Sequence, residues 1–373
     1  MSERLLLIEP RDATIFRDGK PFDAGSNGAR SRSFATPSAI MGAVRTRSVS
    51  DRNFAEARVA QILGYSQIGP FLAYSAYSAG EPRSWKLAYP APADVVAYGD
   101  QDPLEWVRLK PADDPEPSCN LPAGLQPLTG MREAKAAKSA PLFWHEEPFL
   151  RHLAGNTHPQ SAASATGISE LPRQKRMHVS ITAQTQTATE GMLFGTEGLE
   201  FRHGCKLSEG QWGDDLAIAS WITGIDRPAW PAVSHLGGEN RTAFWTDLDP
   251  SAIALPGPPP FLTPSAKQIR MVLLTPGVFR DGWKPGWLDN GLIPGTNGLQ
   301  VELVAAAVPR TLPLSGWDLR AKKQKPTRFL APVGSVYFLK VLQGNPADLW
   351  LKTVSDDEQD CRDGFGLVMG GIW

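Results

Sequence analysis

Apolar residues recur along this chain in three patterns, and each predicts an element. Leu5-Leu6-Leu7-Ile8 is a continuous run ended by Pro10, as in a strand covered on both faces. Thr36-Pro37 offers an N-cap and first-turn pair to a helix in which Ile40 and Val44 share a face while Arg45 and Arg52 point elsewhere. A second helix is predicted over 54–63, with Ala55, Val59 and Ile62 as its stripe and Gly64 as its stop. IGPFLAYSAY reads as a strand. Val179, Ile181, Ala183, Thr185 and Thr187 then alternate with His178, Ser180, Thr182, Gln184 and Gln186, which predicts a half-exposed strand turning at Glu190-Gly191 into another. DDLAIASWITG follows as a predicted helix, capped by Asp214, burying Ile218, Trp221 and Ile222 and stopped by Gly224. HLGGENRTAFW is a turn entering a strand.

Strand, helix, strand, strand, helix, strand is the order of a ferredoxin-like (RRM-like) unit. Between its second and third strands, residues 85–172 are rich in Pro and Ala and weakly periodic. That is too long for a plain loop and predicts an insertion with structure of its own. LPGPPPFLTP, 255–264, is a stiff linker. The expected domains are therefore 1–254 and 265–373. The second has strand-like segments at 271–275, 301–308, 336–342 and 367–373 and no strong helix. The expected class is α+β, with two ferredoxin-like domains and a long insertion in the first.

Composition narrows the chemistry. The 33 Pro, 35 Gly and 12 Trp favour turns pinned by aromatics over a helical bundle. A net charge of -1 carries no global signature for nucleic acid or anionic membrane, so such a partner must meet a local patch. Cys119, Cys205 and Cys361 are too scattered for a disulfide framework or a paired-cysteine metal site. MSERLLLIEP does not read as a signal peptide, and no segment approaches a membrane span. The expectation is a soluble, cytoplasmic chain without membrane contact.

GFGLVMGGIW, 364–373, looks like a phosphate-cradling loop, but a dinucleotide fingerprint needs a helix after its glycines. No helix can follow here, so no nucleotide cofactor is expected. His145-Glu146-Glu147 lacks a second His four residues on, which leaves no metal expected. No Gly-x-Ser-x-Gly elbow occurs. His178, beside Lys175 and Arg176, is the one candidate general base for a metal-independent ribonuclease, and equally a polar strand residue facing water.

Charge is unevenly spread. Residues 310–340 hold seven Lys/Arg, among them Lys322, Lys323 and Lys325, against the single Asp318. Arg173, Lys175 and Arg176 form a second basic knot, and Arg30, Arg32, Arg45 and Arg47 flank the first helix. Acid is collected elsewhere, in SDDEQDCRD. Such segregation lets a near-neutral protein present a basic face to a phosphate backbone, or simply a solvated surface. In HLGGENR, Gly237 and Gly238 fit either a tight turn or a close approach to phosphate.

LLLIEPRDATIFRDGKPF, FATPSAIMGAVRT, GMLFGTEGL, HLGGENR, LLTPGVFRDGW, APVGSVYF and the closing GFGLVMGGIW occur in that order. In this the chain resembles the RAMP superfamily of CRISPR-associated proteins, and within it the family of third subunits of the Cmr (type III-B) RNA-guided effector complex. The resemblance spans nearly the whole chain except 85–170. It implies two ferredoxin-like domains and a terminal glycine loop packed near guide RNA. It also implies a non-catalytic, antiviral role: holding the 5′ repeat-derived tag of the crRNA and joining the large polymerase-like subunit to the first backbone subunit of the filament, without direct DNA contact. RNA contacts are then expected at Arg17, Arg30, Arg32, Ser38, Arg45 and Arg47; at Arg173, Lys175, Arg176 and His178; at Gly237, Gly238, Asn240 and Arg241; and at Gly364, Gly366 and Gly370. Lys322, Lys323 and Lys325 are added from charge alone. Phe34, Met41 and Phe365 are candidates to stack on splayed tag bases, with core packing the stronger reading of each. The competing readings are an endoribonuclease using His178 and a structural subunit with no RNA contact.

Overall fold

The computed structural model describes residues 3–17, 29–49, 56–76, 84–112, 121–156, 163–201, 206–208, 211–212, 215–225, 232–318 and 321–373. Strands dominate, with few helices. The first strand, β1 (Glu3–Pro10), carries the Leu5–Ile8 run, and all four side chains are buried. They alternate between two cores: Leu5 and Leu7 on one face, Leu6 and Ile8 on the other. Helix α1 (Pro37–Ser48) follows, with Thr36 extended as an N-cap residue should be, although its hydroxyl meets Ser38 Oγ at 3.3 Å. Ile40, Met41 and Val44 bury against the second core. Helix α2 (Glu56–Leu63) ends where the Gly64 N–H bonds the carbonyls of Ala60 and Gln61. The predicted contributions of Arg52 and Ala55 lie outside the described residues.

Strand β2 (Ser66–Ala76) pairs with β3 (Ser84–Pro90), which pairs with β4 (Phe143–His145), which pairs with β5 (Gly167–Ile168). The 85–172 segment thus extends the main sheet rather than standing apart from it. It also contains helix α3 (Glu146–Leu153), whose Phe149 and Leu153 enter the first core. Strands β6 (Arg173–Ile181) and β7 (Ala188–Leu199) form a long ribbon in a separate sheet with the two residues Ala29–Arg30. Its turn falls at 182–187, where Thr182 and Thr187 bond, and not at Glu190-Gly191, which lie within β7.

LAIASWIT is strand β8 (Leu216–Thr223), which corrects the predicted helix; Asp214, its expected cap, lies outside the described residues. Ile218, Trp221 and Ile222 have helical spacing, but Ala217, Ala219 and Ser220 between them are buried too. A short run buried at every position fits a central strand as well as a helix. The place it fills is between β1 and β2, paired Ile8 to Ile218 and Leu72 to Ile218. Strands β9 (Ala232–His235) and β10 (Thr242–Leu248) complete the sheet, whose order is β5-β4-β3-β2-β8-β1-β10-β9 with every pairing antiparallel.

The rest of the chain repeats the central plan. Strands β11 (Gln268–Leu273), β12 (Gln300–Ala307), β13 (Val336–Gln343), β14 (Lys352–Thr353) and β15 (Leu367–Ile372) form a sheet ordered β12-β13-β11-β15-β14. In both sheets the third principal strand lies between the first and second, and the fourth lies outside the first. The only α-helix in this half, among the described residues, is the five-residue α4 (Glu358–Arg362), with Asp357 as its cap. One continuous core joins the sheets: Leu7, Phe71 and Trp221 belong to the same cluster as Met271, Tyr337 and Met369. Stretch 255–264 is packed as well, with the Trp350 indole N–H donating to the Pro256 carbonyl at 2.6 Å.

Inside that core sits a fully buried polar cluster. Arg270 of β11 has 0% exposure, as do Asp94 and His152. Arg270 Nη1 donates to Asp94 Oδ2 at 2.7 Å, and His152 Nε2 lies 2.9 Å from Asp94 Oδ1. Arg270 also reaches the His152 carbonyl. Nearby, Arg108 donates to the carbonyls of Gly155 (2.7 Å) and Ile372 (3.0 Å). Burial holds the His152 ring neutral, its pKa pushed down from 6.5 to about 4. Burial alone would raise the Asp94 carboxyl, but His152 and Arg270 together pull it well below the usual carboxylate range.

Two outcomes follow. Removing one partner of a buried ion pair strands the other, so Arg270→Ala should lose about 3–5 kcal/mol in urea unfolding. The unfolded chain takes up a proton at position 152 below pH 6.5, whereas the folded chain resists until about 4. Stability should therefore be full above pH 6.5 and fall as pH drops toward 4, with Asp94 adding its own loss below the unfolded carboxylate value. His152→Gln should flatten the first part of that fall.

Candidate nucleic-acid interface

A cleft of about 1140 Å³ opens between the two halves. Phe16 and Arg17, the small-residue face of α1 (Ser38, Ala39, Gly42, Ala43, Thr46) and the turn Gly237-Gly238 line one part of it. Opposite lies the ribbon 312–330, in which 312–314 pairs with 328–330 and Trp317–Asp318 pairs with Lys323–Gln324. Asp357, Gln359, Asp360 and Asp363, around α4, complete the lining. Three segments singled out from sequence therefore converge: Arg17, Ser38, Arg45 and Arg47; Gly237 and Gly238; and Lys325.

Their roles differ. Arg17 and Lys325 are exposed. Arg45 is committed: its Nη2 bonds Asp363 Oδ1 at 2.5 Å and its Nε the Ile62 carbonyl at 2.8 Å. Arg47 is half-buried, and that burial lowers its pKa. Arg32, predicted to touch RNA, is buried, with Nε on the Arg17 carbonyl at 2.9 Å and its other end on the Pro313 carbonyl across the cleft. The side chain of Arg30 and residues 18–28 lie outside the described residues. The acidic segment, expected away from the basic face, instead lines the same cleft. Asp363 pairs with Arg45, and both oxygens of Asp360 accept from Arg328 Nη1 at 2.8 Å. Opposite charges were drawn together, so the cleft is mixed rather than purely basic.

The glycines serve close packing. At Gly237 (φ 75°) a Cβ would lie 2.6 Å from the Ile15 carbonyl oxygen, so the backbone conformation and the approach both require glycine, and the Gly238 N–H donates to the same oxygen at 2.8 Å. Asn240 (φ 53°) is exposed and its carbonyl meets His235 Nδ1 at 3.1 Å; Arg241 pairs with Glu239 at 3.1 Å. Gly364, Gly366 and Gly370 are buried, which corrects their placement on an RNA-facing loop. A Cβ on Gly364 would come within 2.8 Å of the Gly69 carbonyl oxygen in the other sheet, and one on Gly370 within 3.1 Å of Leu262. The closing glycines let the halves touch.

The ribbon β6–β7 stands apart from the cleft lining. Arg173 is engaged by Glu170 and Glu197, both at 2.6 Å, while Lys175 and Arg176 are exposed. His178 stacks on Phe194 and its Nε2 lies 2.9 Å from Thr196 Oγ1. One face of this ribbon exposes Met177, Val179, Ile181 and Leu193. Lys322 and Lys323 are exposed on the ribbon 312–330 but do not line the cleft. Of the stacking candidates, Met41 and Phe365 are fully buried and Phe34 packs edge-on against Phe143. Among the described residues, the two most exposed aromatic rings of the ribbon 312–330 are ones the sequence did not single out: Trp317 and Phe329, each 60% exposed. The available signal was their place in SGWDLRAKKQKPTRF, aromatics among lysines with no apolar alternation to bury them.

The model of the CRISPR-associated protein family Cas_Cmr3 matches residues 6–373. The chain belongs to that family. Among solved structures, a chain of the type III-B Cmr-beta complex bound to cognate target RNA and AMPPnP is similar to this Cas_Cmr3 chain at 15% identity, covering 90% of this chain and 86% of that one, with a TM-score of 0.48. A chain of the same complex bound to cognate target RNA gives 16% identity, the same coverage and a TM-score of 0.45. One from the Csm3–Csm4 subcomplex of a type III-A interference complex gives 11%, 91% and 94% coverage, and 0.33. No curated protein matches.

Burial separates two arginines of the Cas_Cmr3 chain that its sequence ranks together. Arg32→Ala should lose about 1–3 kcal/mol in urea unfolding, because it removes a buried side chain that donates to the Arg17 and Pro313 carbonyls. Arg17→Ala should cost less than Arg32→Ala in the same measurement, because an exposed side chain leaves no buried polar group stranded.

Proposed function

We propose that this Cas_Cmr3 chain is a non-catalytic crRNA-binding subunit of a type III-B effector complex. It holds the 5′ repeat-derived tag in the cleft and bridges the large polymerase-like subunit to the backbone filament. Two ferredoxin-like cores carry the cleft, a reading supported by the shared strand order of the two sheets. The observation that carries the proposal is the convergence of Arg17, Arg47, Lys325 and the Gly237-Gly238 turn on one groove with an exposed Trp317. Cations spaced along a groove with an aromatic platform suit single-stranded RNA, because phosphates meet the cations and bases stack. The apolar face of the β6–β7 ribbon supports a protein partner there, since a monomer gains nothing from exposing four aliphatic side chains together.

The His178 endoribonuclease reading has less support. The imidazole is held by Thr196 and Phe194, and neither can serve as a proton donor for a leaving group at neutral pH.

Gel shift against tagged and tag-less crRNA across a salt series tests the proposal. Tag-dependent binding without cleavage is expected. The Arg17→Ala/Lys325→Ala pair should weaken it and lower the log–log salt slope by about 1.4, the share of two single-strand phosphate contacts. Cleavage that His178→Ala abolishes would move the assignment to the nuclease.

A further inference from the structure

Beside the cleft, and sharing Arg328 and Asp357 with it, lies a second concavity of about 570 Å³. Its walls are the loop from Val278 to Gly282 and the ribbon residues Thr327 to Phe329, and Asp356 and Asp357 complete the lining.

The chemistry of this hollow is wrong for phosphate. Arg328 is spent on both oxygens of Asp360, and Arg280 on Asp289 at 2.7 Å. Asp356 accepts the backbone N–H groups of Arg280 (2.7 Å) and Gly286 (2.9 Å). An entering phosphate would therefore meet two carboxylates and no uncompensated cation. What fits is a flat, uncharged group with an apolar face and an N–H at its edge. Phe329 offers the face. Asp357 offers the acceptor: its Oδ1 caps α4 through the N–H groups of Gln359 (2.8 Å) and Asp360 (3.2 Å), while Oδ2 accepts from no described residue.

We infer that this concavity is a nucleobase subsite, in which a base turned out of the strand in the neighbouring cleft stacks on Phe329 and donates an exocyclic amino hydrogen to Asp357. Adenine, cytosine and guanine carry that amino group and uracil does not. The inference rests on the RNA-binding reading of the cleft.

Fluorescence anisotropy of the full chain with single-stranded oligo(A), oligo(C) and oligo(U), across a salt series, tests it. Wild type should prefer oligo(A) and oligo(C) to oligo(U). Phe329→Ala should weaken binding about 5- to 150-fold, the range for one lost base–aromatic stack, with the salt slope unchanged. Phe329→Tyr should restore it. Asp357→Asn keeps the capping Oδ1 and turns the outer atom into a donor, so it should shift preference toward oligo(U), with α4 intact. Wild-type affinity in Phe329→Ala, or a loss that appears only as a reduced slope, would overturn the subsite and leave the cleft reading standing. A wild-type chain that bound no RNA would overturn both.

Discussion

Arg270, fully buried in β11, holds three separate parts of the chain at one point. It reaches Asp94, in the turn after β3, and His152, on α3, while itself belonging to β11. A guanidinium taken wholly out of water is costly unless a counter-charge and acceptors held at fixed positions offset the loss. That demand fixes how α3 and the end of β3 sit against the second sheet. Arg108 repeats the device a short distance away, on the carbonyls of Gly155 and Ile372. Apolar packing supplies the larger part of the cohesion between the sheets, but it is non-directional. The polar cluster gives that packing a register.

The cleft follows from this register. With the sheets sharing one core, their connecting segments are brought together at one side: α1 and the Gly237 turn from the first, the ribbon 312–330 and α4 from the second. Arg32 to Pro313 and Arg45 to Asp363 run from one half to the other. Arginines flanking the first helix thus serve partly as ties across the groove.

Much of the fold was legible in the sequence. β1, α1 and the four principal strands of the second half lie where the apolar pattern places them, helped by Pro10 at the end of β1, Pro37 at the start of α1 and Gly344 after β13. β8 was not, since a run buried at every position erases the difference between a period of two and one of 3.6. Within 85–172 the individual strands were not legible for another reason: β4 and β5 are three and two residues long, too short to carry a period, and they are strands because β4 pairs with the edge of β3 and β5 with β4. For the candidate site, charge found the segments but could not separate Arg17 from Arg32, whose difference is burial alone. Nor could it show that SDDEQDCRD folds onto the arginines rather than away from them.

Pairing within the cleft changes what the groove selects. Cations on an open surface attract any polyanion, because each phosphate that binds frees mobile counterions. Arg45 and Arg328 carry their counter-charges on the same chain, as Asp363 and Asp360. A phosphate displacing such a carboxylate liberates no ion into solution and leaves an anion tethered beside it. The entropy that drives indiscriminate binding is absent at those positions. A groove built this way attracts bulk polyanions less than an open row of unpaired cations would.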